Sequence, residues 1–90
     1  MTARHIAPDT VWQLLWESLD GSVRDLAALK ASAREDSRFT EDMDLDSLDL
    51  LEFFLRLAET SGVSLSEDDY PELISVQTVV AFLESRAAQA

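Results

Sequence analysis

The sequence predicts an all-α fold, a small four-helix bundle with a long first connection and a short third helix. Apolar residues recur at helical spacing in several segments, and no strand-like alternation or internal repeat is present. Apolar residues make up 47% of the chain, and it has only two glycines and two prolines, which favours a folded domain over a disordered acidic tail. A chain of 90 residues has room for one domain, 1–90, in which we expect a flexible N-terminal segment at 1–8 and a frayed tail at 87–90.

The first helix is predicted to begin near Thr10, which fits a capping box with Gln13, and to end at Gly21. Its apolar stripe consists of Trp12, Leu15, Trp16 and Leu19. We interpret the two tryptophans as core or interface packing, because nothing beside them indicates a cofactor site.

Residues 22–38 have a mixed pattern, and we interpret them as a long connection that contains some helix. Ser22 and Asp25 could cap a short helix here, and its apolar residues would be Val23, Leu26 and Leu29.

The sequence pattern of the last part of the chain predicts one short helix and one longer helix. An acidic run and Pro71 leave room only for a short helical turn near 66–73. Ser75 then caps the last helix, and the apolar stripe of that helix is Val76, Val79, Val80 and Leu83.

A helix with three distinct faces lies in the middle of the chain. It is predicted to begin at Asp46 or Ser47 and to end near Ser61, because Gly62 supplies a left-handed terminus. Its inward face is Leu50, Phe53, Phe54 and Leu57, its second apolar stripe is Leu48, Leu51, Leu55 and Ala58, and its charged stripe is Asp49, Glu52, Arg56 and Glu59. A helix with only a structural role needs one apolar face, so the second stripe indicates contacts beyond the core. The alternative is that one of its leucines is buried beneath the first connection.

Composition excludes several classes of function. The formal charge of −11 repels phosphate backbones and anionic membrane surfaces, so we expect basic protein partners, no nucleic acid and no membrane. No apolar stretch approaches the roughly 20 residues that span a bilayer, which predicts a cytoplasmic, soluble protein. The chain has no cysteine, and its one histidine is His5, so we expect no catalytic centre and no enzyme.

Alternating acidic residues raise the possibility of a calcium loop. Asp42, Asp44 and Asp46 match its beginning, since calcium prefers oxygen ligands at alternate positions. Ser47 stands at the sixth position, where glycine is required, and Phe53 at the twelfth, where a bidentate glutamate belongs. We therefore expect no metal site, and a calcium sensor would have to show a calcium-dependent spectral change.

An ordered set of motifs resembles the acyl carrier protein family. Asp46-Ser47-Leu48 at a helix start is preceded by Phe39-Thr40-Glu41-Asp42, and Ser75-Val76-Gln77 opens the last helix. The resemblance covers residues 39–83. Asp-Ser-Leu alone would indicate little, but the order of all three motifs is specific.

The resemblance implies an acyl-carrier-type bundle in which Ser47 carries 4′-phosphopantetheine, transferred from coenzyme A by a phosphopantetheinyl transferase. This arm supplies the thiol that the polypeptide lacks and holds acyl intermediates as thioesters in fatty-acid, polyketide or related biosynthesis. By the same resemblance, the residues facing the acyl chain and the basic surfaces of loading, condensing or transferring enzymes are Asp46, Leu48, Asp49, Leu51, Glu52 and Leu55.

The chain departs from the common family pattern at three positions. Asp44 stands where glycine is common, Ser61 stands where an aromatic residue often closes the helix, and Arg56 interrupts the acidic stripe. The segment before Phe39 is also longer than is usual for a compact carrier. At 90 residues we expect a free-standing carrier.

Two other functions fit the same residues. A peptidyl carrier would load an aminoacyl group through the same motif, and the mass of the loaded form would distinguish it. An unmodified acidic adaptor would use Asp46 and Ser47 only as helix caps, and it predicts that Ser47→Ala leaves function intact.

Overall fold

In the part of the chain that the structure describes, the regular elements are four α-helices and one short 3₁₀ turn. The computed structural model describes residues 6–21 and 24–89, and for residues 88 and 89 the backbone alone. The elements are α1 (Pro8–Leu19), α2 (Leu26–Ser32), α3 (Ser47–Ser61), the 3₁₀ turn (Tyr70–Glu72) and α4 (Val76–Gln89). Apart from one isolated bridge, the described ranges contain no β-structure, so the predicted all-α class is confirmed.

Helix α1 begins two residues earlier than the capping pattern predicted. Pro8 is its first residue and Ala7 its N-cap, whose carbonyl accepts hydrogen bonds from the amides of Thr10 and Val11 at 3.0 and 3.3 Å. The predicted start at Thr10 is wrong because proline already has a helical φ and lacks only an amide that the first turn leaves unpaired. Ile6 is buried in the core, so the folded part reaches into the segment 1–8 that we expected to be flexible. His5 lies outside the described residues.

The long connection contains the short helix α2. The carboxylate of Asp25 caps it by accepting a hydrogen bond from the amide of Ala28 at 3.0 Å. Leu26 and Leu29 are partly buried against the core. Ser22 and Val23, which belong to the same predicted helix, lie outside the described residues.

The predicted short third helix is a single 3₁₀ turn, with Pro71 in its first positions. The Oγ of Ser75 accepts a hydrogen bond from the amide of Thr78 at 3.2 Å, which confirms Ser75 as the cap of α4. Helix α4 continues to Gln89, through most of the segment where we expected fraying. Within the described ranges, no helix is long and apolar enough to cross a membrane.

One core joins the helices, with α1 packed against both α3 and α4. Its central aromatic pair is Phe39 and Phe53, whose rings meet edge to face at 5.6 Å between centroids. The other buried core residues are Ile6, Val11, Leu15, Leu19, Met43, Leu45, Phe54, Leu57, Val63, Leu73, Val76, Val79 and Leu83. The predicted stripe of α1, the inward face of α3 and the stripe of α4 therefore supply core residues, although Trp12 and Trp16 only flank the core.

A backbone bridge ties the long connection to the start of α4. Arg38 and Ser75 pair as an isolated antiparallel bridge, in which the amide of Phe39 donates to the carbonyl of Ile74 at 2.8 Å. The amide of Gln77 donates to the carbonyl of Glu35 at 2.9 Å on the other side of this bridge. The bridge places the segment before α3 beside the segment before α4.

Candidate functional site at the start of α3

Ser47 is the first residue of α3, and its side chain is exposed. Asp46 caps the helix by accepting a hydrogen bond from the amide of Asp49 at 2.8 Å, while the Asp49 carboxylate accepts one from the amide of Asp46 at 3.3 Å. This reciprocal capping box leaves the Ser47 hydroxyl without a capping role. In the first turn, the amides of Ser47 and Leu48 have no carbonyl of a preceding turn to bond, so this end of the helix favours an anion.

The loop before α3 is held by both backbone and side-chain bonds. The amide of Leu45 donates to the carbonyl of Phe39 at 2.9 Å, and the amide of Met43 donates to the carbonyl of Arg38 at 3.0 Å. Phe39, Met43 and Leu45 are all buried, so the loop that leads to Ser47 is anchored in the core. Asp44 in this loop has a φ of 57°, the left-handed conformation in which glycine is common.

Arg38 lies at the centre of an exposed ion cluster in the same loop. Its amide and its Nε donate to Oδ2 of Asp42 at 2.8 and 3.2 Å, and its guanidinium also contacts Glu41. The backbone hydrogen bond from Arg38, followed by the side-chain hydrogen bond, lowers the pKa of Asp42 below its usual 3.8. The side-chain hydrogen bond to Asp42 likewise raises the pKa of Arg38.

The second apolar stripe of α3 faces solvent. Leu48, Leu51 and Leu55 are 74%, 42% and 57% exposed, so none of them is buried beneath the first connection. On the opposite face, Phe53 and Leu57 are fully buried, which confirms the inward face predicted for this helix.

A groove of about 590 Å³ runs beside Ser47. Leu48 and Leu51 line it together with Leu50 and Phe54. The opposite wall comes from the loop before α3 and from the segment around the 3₁₀ turn, and it includes Arg38, Phe39, Glu67, Tyr70, Leu73 and Ile74. Of the predicted acyl-facing leucines, Leu55 does not line the groove.

Several groove residues were not found from the sequence. Tyr70 packs its ring 4.8 Å from that of Phe54, and Ile74 is 48% exposed although it follows the buried Leu73. One feature of the sequence could have indicated that Ile74 is exposed: it is an apolar residue just before a helix cap and outside any helical stripe. No sequence feature places Arg38 in the groove, because its position depends on the backbone bridge to α4.

The acidic residues predicted to meet partners lie on the outer surface of α3, outside the groove. Asp46 and Glu52 are exposed and Asp49 is partly so. Glu52 pairs with Arg56 at 3.5 Å, so the positive residue that interrupts this stripe neutralises part of it. In the described part of the chain, no group of three or more acidic or histidine residues could hold a metal ion.

Comparison with known proteins places the chain in a family. Residues 18–83 match the sequence model described as the phosphopantetheine attachment site. The acyl carrier protein of Solidesulfovibrio magneticus is 31% identical over 67 residues, which cover 74% of this chain and 86% of that protein. The chain belongs to the acyl carrier protein family. The acyl carrier protein of Chlamydia trachomatis serovar D is 36% identical over 64 residues, covering 71% of this chain and 83% of that protein.

A solved acyl carrier protein has the same fold. It is a 3-oxo-butyl intermediate mimic from the actinorhodin polyketide synthase of Streptomyces coelicolor, 28% identical, with a TM-score of 0.70 over 99% of both chains. The chain is thus an acyl carrier with a covalent 4′-phosphopantetheine arm. Members of this family are carriers that work with the enzymes of acyl pathways.

Proposed function

We propose that Ser47 is the residue that holds the phosphopantetheine, and that the chain presents acyl thioesters on this arm to biosynthetic enzymes. The observation that carries the proposal is the position of Ser47: it is exposed, it is first in α3, and Asp46 performs the capping that a serine there could otherwise provide. The phosphodiester would lie at the positive end of α3, beside amides that have no intrahelical partner. The residues present therefore fit the group.

The attachment is a single transfer from coenzyme A by a phosphopantetheinyl transferase. The Ser47 oxygen forms a bond to the phosphorus next to pantetheine, and the bond from that phosphorus to the rest of the pyrophosphate breaks. The hydroxyl proton passes to the transferase, and adenosine 3′,5′-bisphosphate leaves. This chain contributes an accessible hydroxyl in a rigid first turn, held by the Asp46–Asp49 capping box.

The groove beside Ser47 is the proposed resting place of the acyl chain. Leu48, Leu51 and Ile74 are exposed apolar side chains on its walls, and covering them with an acyl chain removes apolar surface from water. Leu55 lies farther along the same stripe and outside the groove, so we assign it to contact with partner enzymes.

Partner enzymes are proposed to approach α3 through its acidic residues. Asp46, Asp49 and Glu52 border the exposed leucine stripe, and the chain as a whole carries a formal charge of −11. A basic docking surface would be attracted over several ångströms and oriented by these charges. We propose that loading, condensing or transferring enzymes dock here, that the chain performs no catalysis itself, and that it acts in the cytoplasm.

The proposed cargo is an acyl group of a fatty-acid or polyketide pathway. The similar proteins named above are acyl carriers, and the similar structure comes from a polyketide synthase and carries a 3-oxo-butyl group. These likenesses favour an acyl over an aminoacyl cargo.

The decisive experiment is intact mass after incubation with coenzyme A, magnesium and a promiscuous phosphopantetheinyl transferase. We expect a phosphopantetheine-sized gain in the parent protein and in Ser64→Ala, whose serine is also exposed, and none in Ser47→Ala. A gain that persists in Ser47→Ala would assign the arm to another residue. No gain in the folded parent, with a control carrier modified in parallel, would favour the unmodified adaptor.

A further inference from the structure

A second groove, of about 490 Å³, lies between α1 and α2 and shares no lining residue with the groove at Ser47. Its apolar floor is formed by Trp12, Trp16 and Leu26. Three carboxylates, those of Asp9, Glu17 and Asp20, stand along it. The function proposed for Ser47 uses none of these residues.

The two tryptophans form a stacked pair at the edge of the core. Their rings lie 5.3 Å apart between centroids with an angle of 20° between their planes, and both side chains are only partly buried. Val11, Leu15 and Leu19 of the same helix are fully buried in the core, whereas the tryptophans only pack against its edge. Two large aromatic faces are thus left within reach of solvent, a feature typical of recognition surfaces.

Two of the carboxylates beside this pair lie where the helix dipole disfavours them. Glu17 and Asp20 lie at the C-terminal end of α1, where the helix dipole disfavours negative charge, and the last turn has no basic residue. Asp9, Glu17 and Asp20 form no ion pair with any residue of the described ranges. An incoming cation would therefore find carboxylates that no ion pair of the described ranges occupies.

The chain already places one of its own cations against this aromatic surface. The ammonium of Lys30 lies 5.9 Å from the centroid of the Trp16 ring, at the outer limit of a cation–π contact. Lys30 is exposed and its flexible stem can move aside at little cost. One ammonium against three carboxylates leaves the lining of the groove negative.

We propose that this groove docks an arginine side chain on a basic segment of a partner protein. A guanidinium is planar, so it stacks on an indole face while all the N–H groups at its edge can donate to carboxylates; an ammonium is tetrahedral and loses donors to the ring when it does the same. The site would give the carrier a second point of attachment to a partner, and α3 and Ser47 would remain available to the active site of the partner enzyme. A tether of this kind raises the local concentration of the carrier without competing for the α3 surface.

The site contains its own reporter, because Trp12 and Trp16 are the only tryptophans of the chain. The probe is a blocked peptide with two arginines spaced by glycines, titrated while tryptophan fluorescence is recorded, beside matched lysine and citrulline peptides. We expect a saturable change with the arginine peptide, about three-fold weaker binding of the lysine peptide and no saturation with citrulline, which keeps the shape but lacks the charge.

Two charge-matched double variants separate specific from general attraction. Glu17→Gln/Asp20→Asn should weaken binding of the arginine peptide about three-fold to ten-fold, whereas Glu59→Gln/Glu84→Gln, which removes two charges elsewhere, should weaken it less than two-fold. Equal weakening by both pairs, or equal affinity for arginine and lysine peptides, would overturn the proposal. So would a fluorescence change that depends on protein concentration alone, since it would indicate a second copy in the groove.

The same titration on Ser47→Ala should give an unchanged affinity. This result keeps the two proposals distinguishable, because the groove is predicted to bind arginine whether or not Ser47 carries the arm.

Discussion

Asp44 is the one described residue other than glycine that has a positive φ, and it stands in the loop that leads to Ser47. A side chain in this left-handed conformation costs about 1 kcal/mol or more, and aspartate tolerates it better than most residues. We expect Asp44→Gly to be more stable than Asp44→Ala by about 1 kcal/mol, the reverse of their order within a helix. Urea unfolding of the two variants measures this difference.

The control compares alanine with glycine at an exposed helical position. At Ala81 in α4, alanine should be more stable than glycine by about 1 kcal/mol. Alanine that is as stable as glycine at position 44 would mean that the loop relaxes out of the left-handed conformation.

Asp42 makes part of the stability depend on pH. Its pKa is lowered in the folded protein, chiefly by the backbone hydrogen bond from Arg38, so its contribution is complete above its unfolded pKa near 3.8. The contribution is lost as the pH falls through the still lower folded pKa. We expect Asp42→Asn to be less stable than the parent at about pH 6, and the difference to shrink at about pH 3.

Urea midpoints of the parent and of Asp42→Asn at both pH values check this expectation. Asp68→Asn, an exposed aspartate for which no pairing is described, should show no such convergence with the parent. A difference between the parent and Asp42→Asn that is constant with pH would exclude the pairing with Arg38 as its cause.

At the scale of a single helix, α3 divides stability and recognition between its two apolar faces. Leu57 is fully buried, and Leu57→Ala should cost about 2 to 5 kcal/mol of unfolding free energy. Leu55 is 57% exposed, so Leu55→Ala should cost about 0.5 kcal/mol or less. When kcat/KM of the transferase is measured on the folded fraction, Leu55→Ala should lower it more than Leu57→Ala. The reason is that Leu55 belongs to the exposed leucine stripe at which partner enzymes are proposed to dock.

Urea unfolding and the rate of Ser47 modification are therefore measured on the same two variants. A large stability loss in Leu55→Ala would mean that this leucine is part of the core. An unchanged modification rate in Leu55→Ala would remove it from the docking surface of the transferase.

The bounds of α3 could be predicted because local signals agree at both ends. Asp46 caps it and Gly62, with a φ of 75°, ends it, and neither choice depends on the rest of the fold. At α1 the capping pattern at Thr10 predicts a start near that residue, whereas the helix begins at Pro8, whose fixed φ suits the first helical position. The 3₁₀ turn was predicted as a short helix because both place a few residues in a single turn around Pro71.

The site was predictable only where it is local. Ser47, Leu48 and Leu51 follow from a motif within one helix, and the structure brings them to one groove. Part of the opposite wall comes from Tyr70 and Ile74, more than twenty positions from Ser47 in the chain, which reach it through tertiary packing and the backbone bridge. Periodicity within a segment contains no information about such a pairing.

At the scale of the whole molecule, charge opposes the fold. Eighteen acidic residues against seven basic ones give a formal charge of −11 on a chain of 90 residues, and the compact state brings these charges together. Raising ionic strength from about 0.01 to about 0.15 M shortens the screening length from roughly 30 to roughly 8 Å. We expect the urea midpoint to rise with added NaCl over this range.

The control for this prediction is a neutral solute at equal osmolality, which should not produce the same rise. A midpoint that is constant or falls with NaCl would mean that the surface ion pairs, such as that of Arg38 with Asp42, outweigh the repulsion.

The backbone bridge between the long connection and α4 contains one amide proton whose exchange with solvent depends on opening of the groove. The amide of Phe39 bonds to the carbonyl of Ile74, and both residues line the groove at Ser47, so the walls cannot separate there without exposing this proton to water. Its hydrogen–deuterium exchange rate should therefore report how often the groove opens, separately from global unfolding. An acyl chain held against both walls would slow that exchange, whereas cargo that remains in solvent would leave it unchanged.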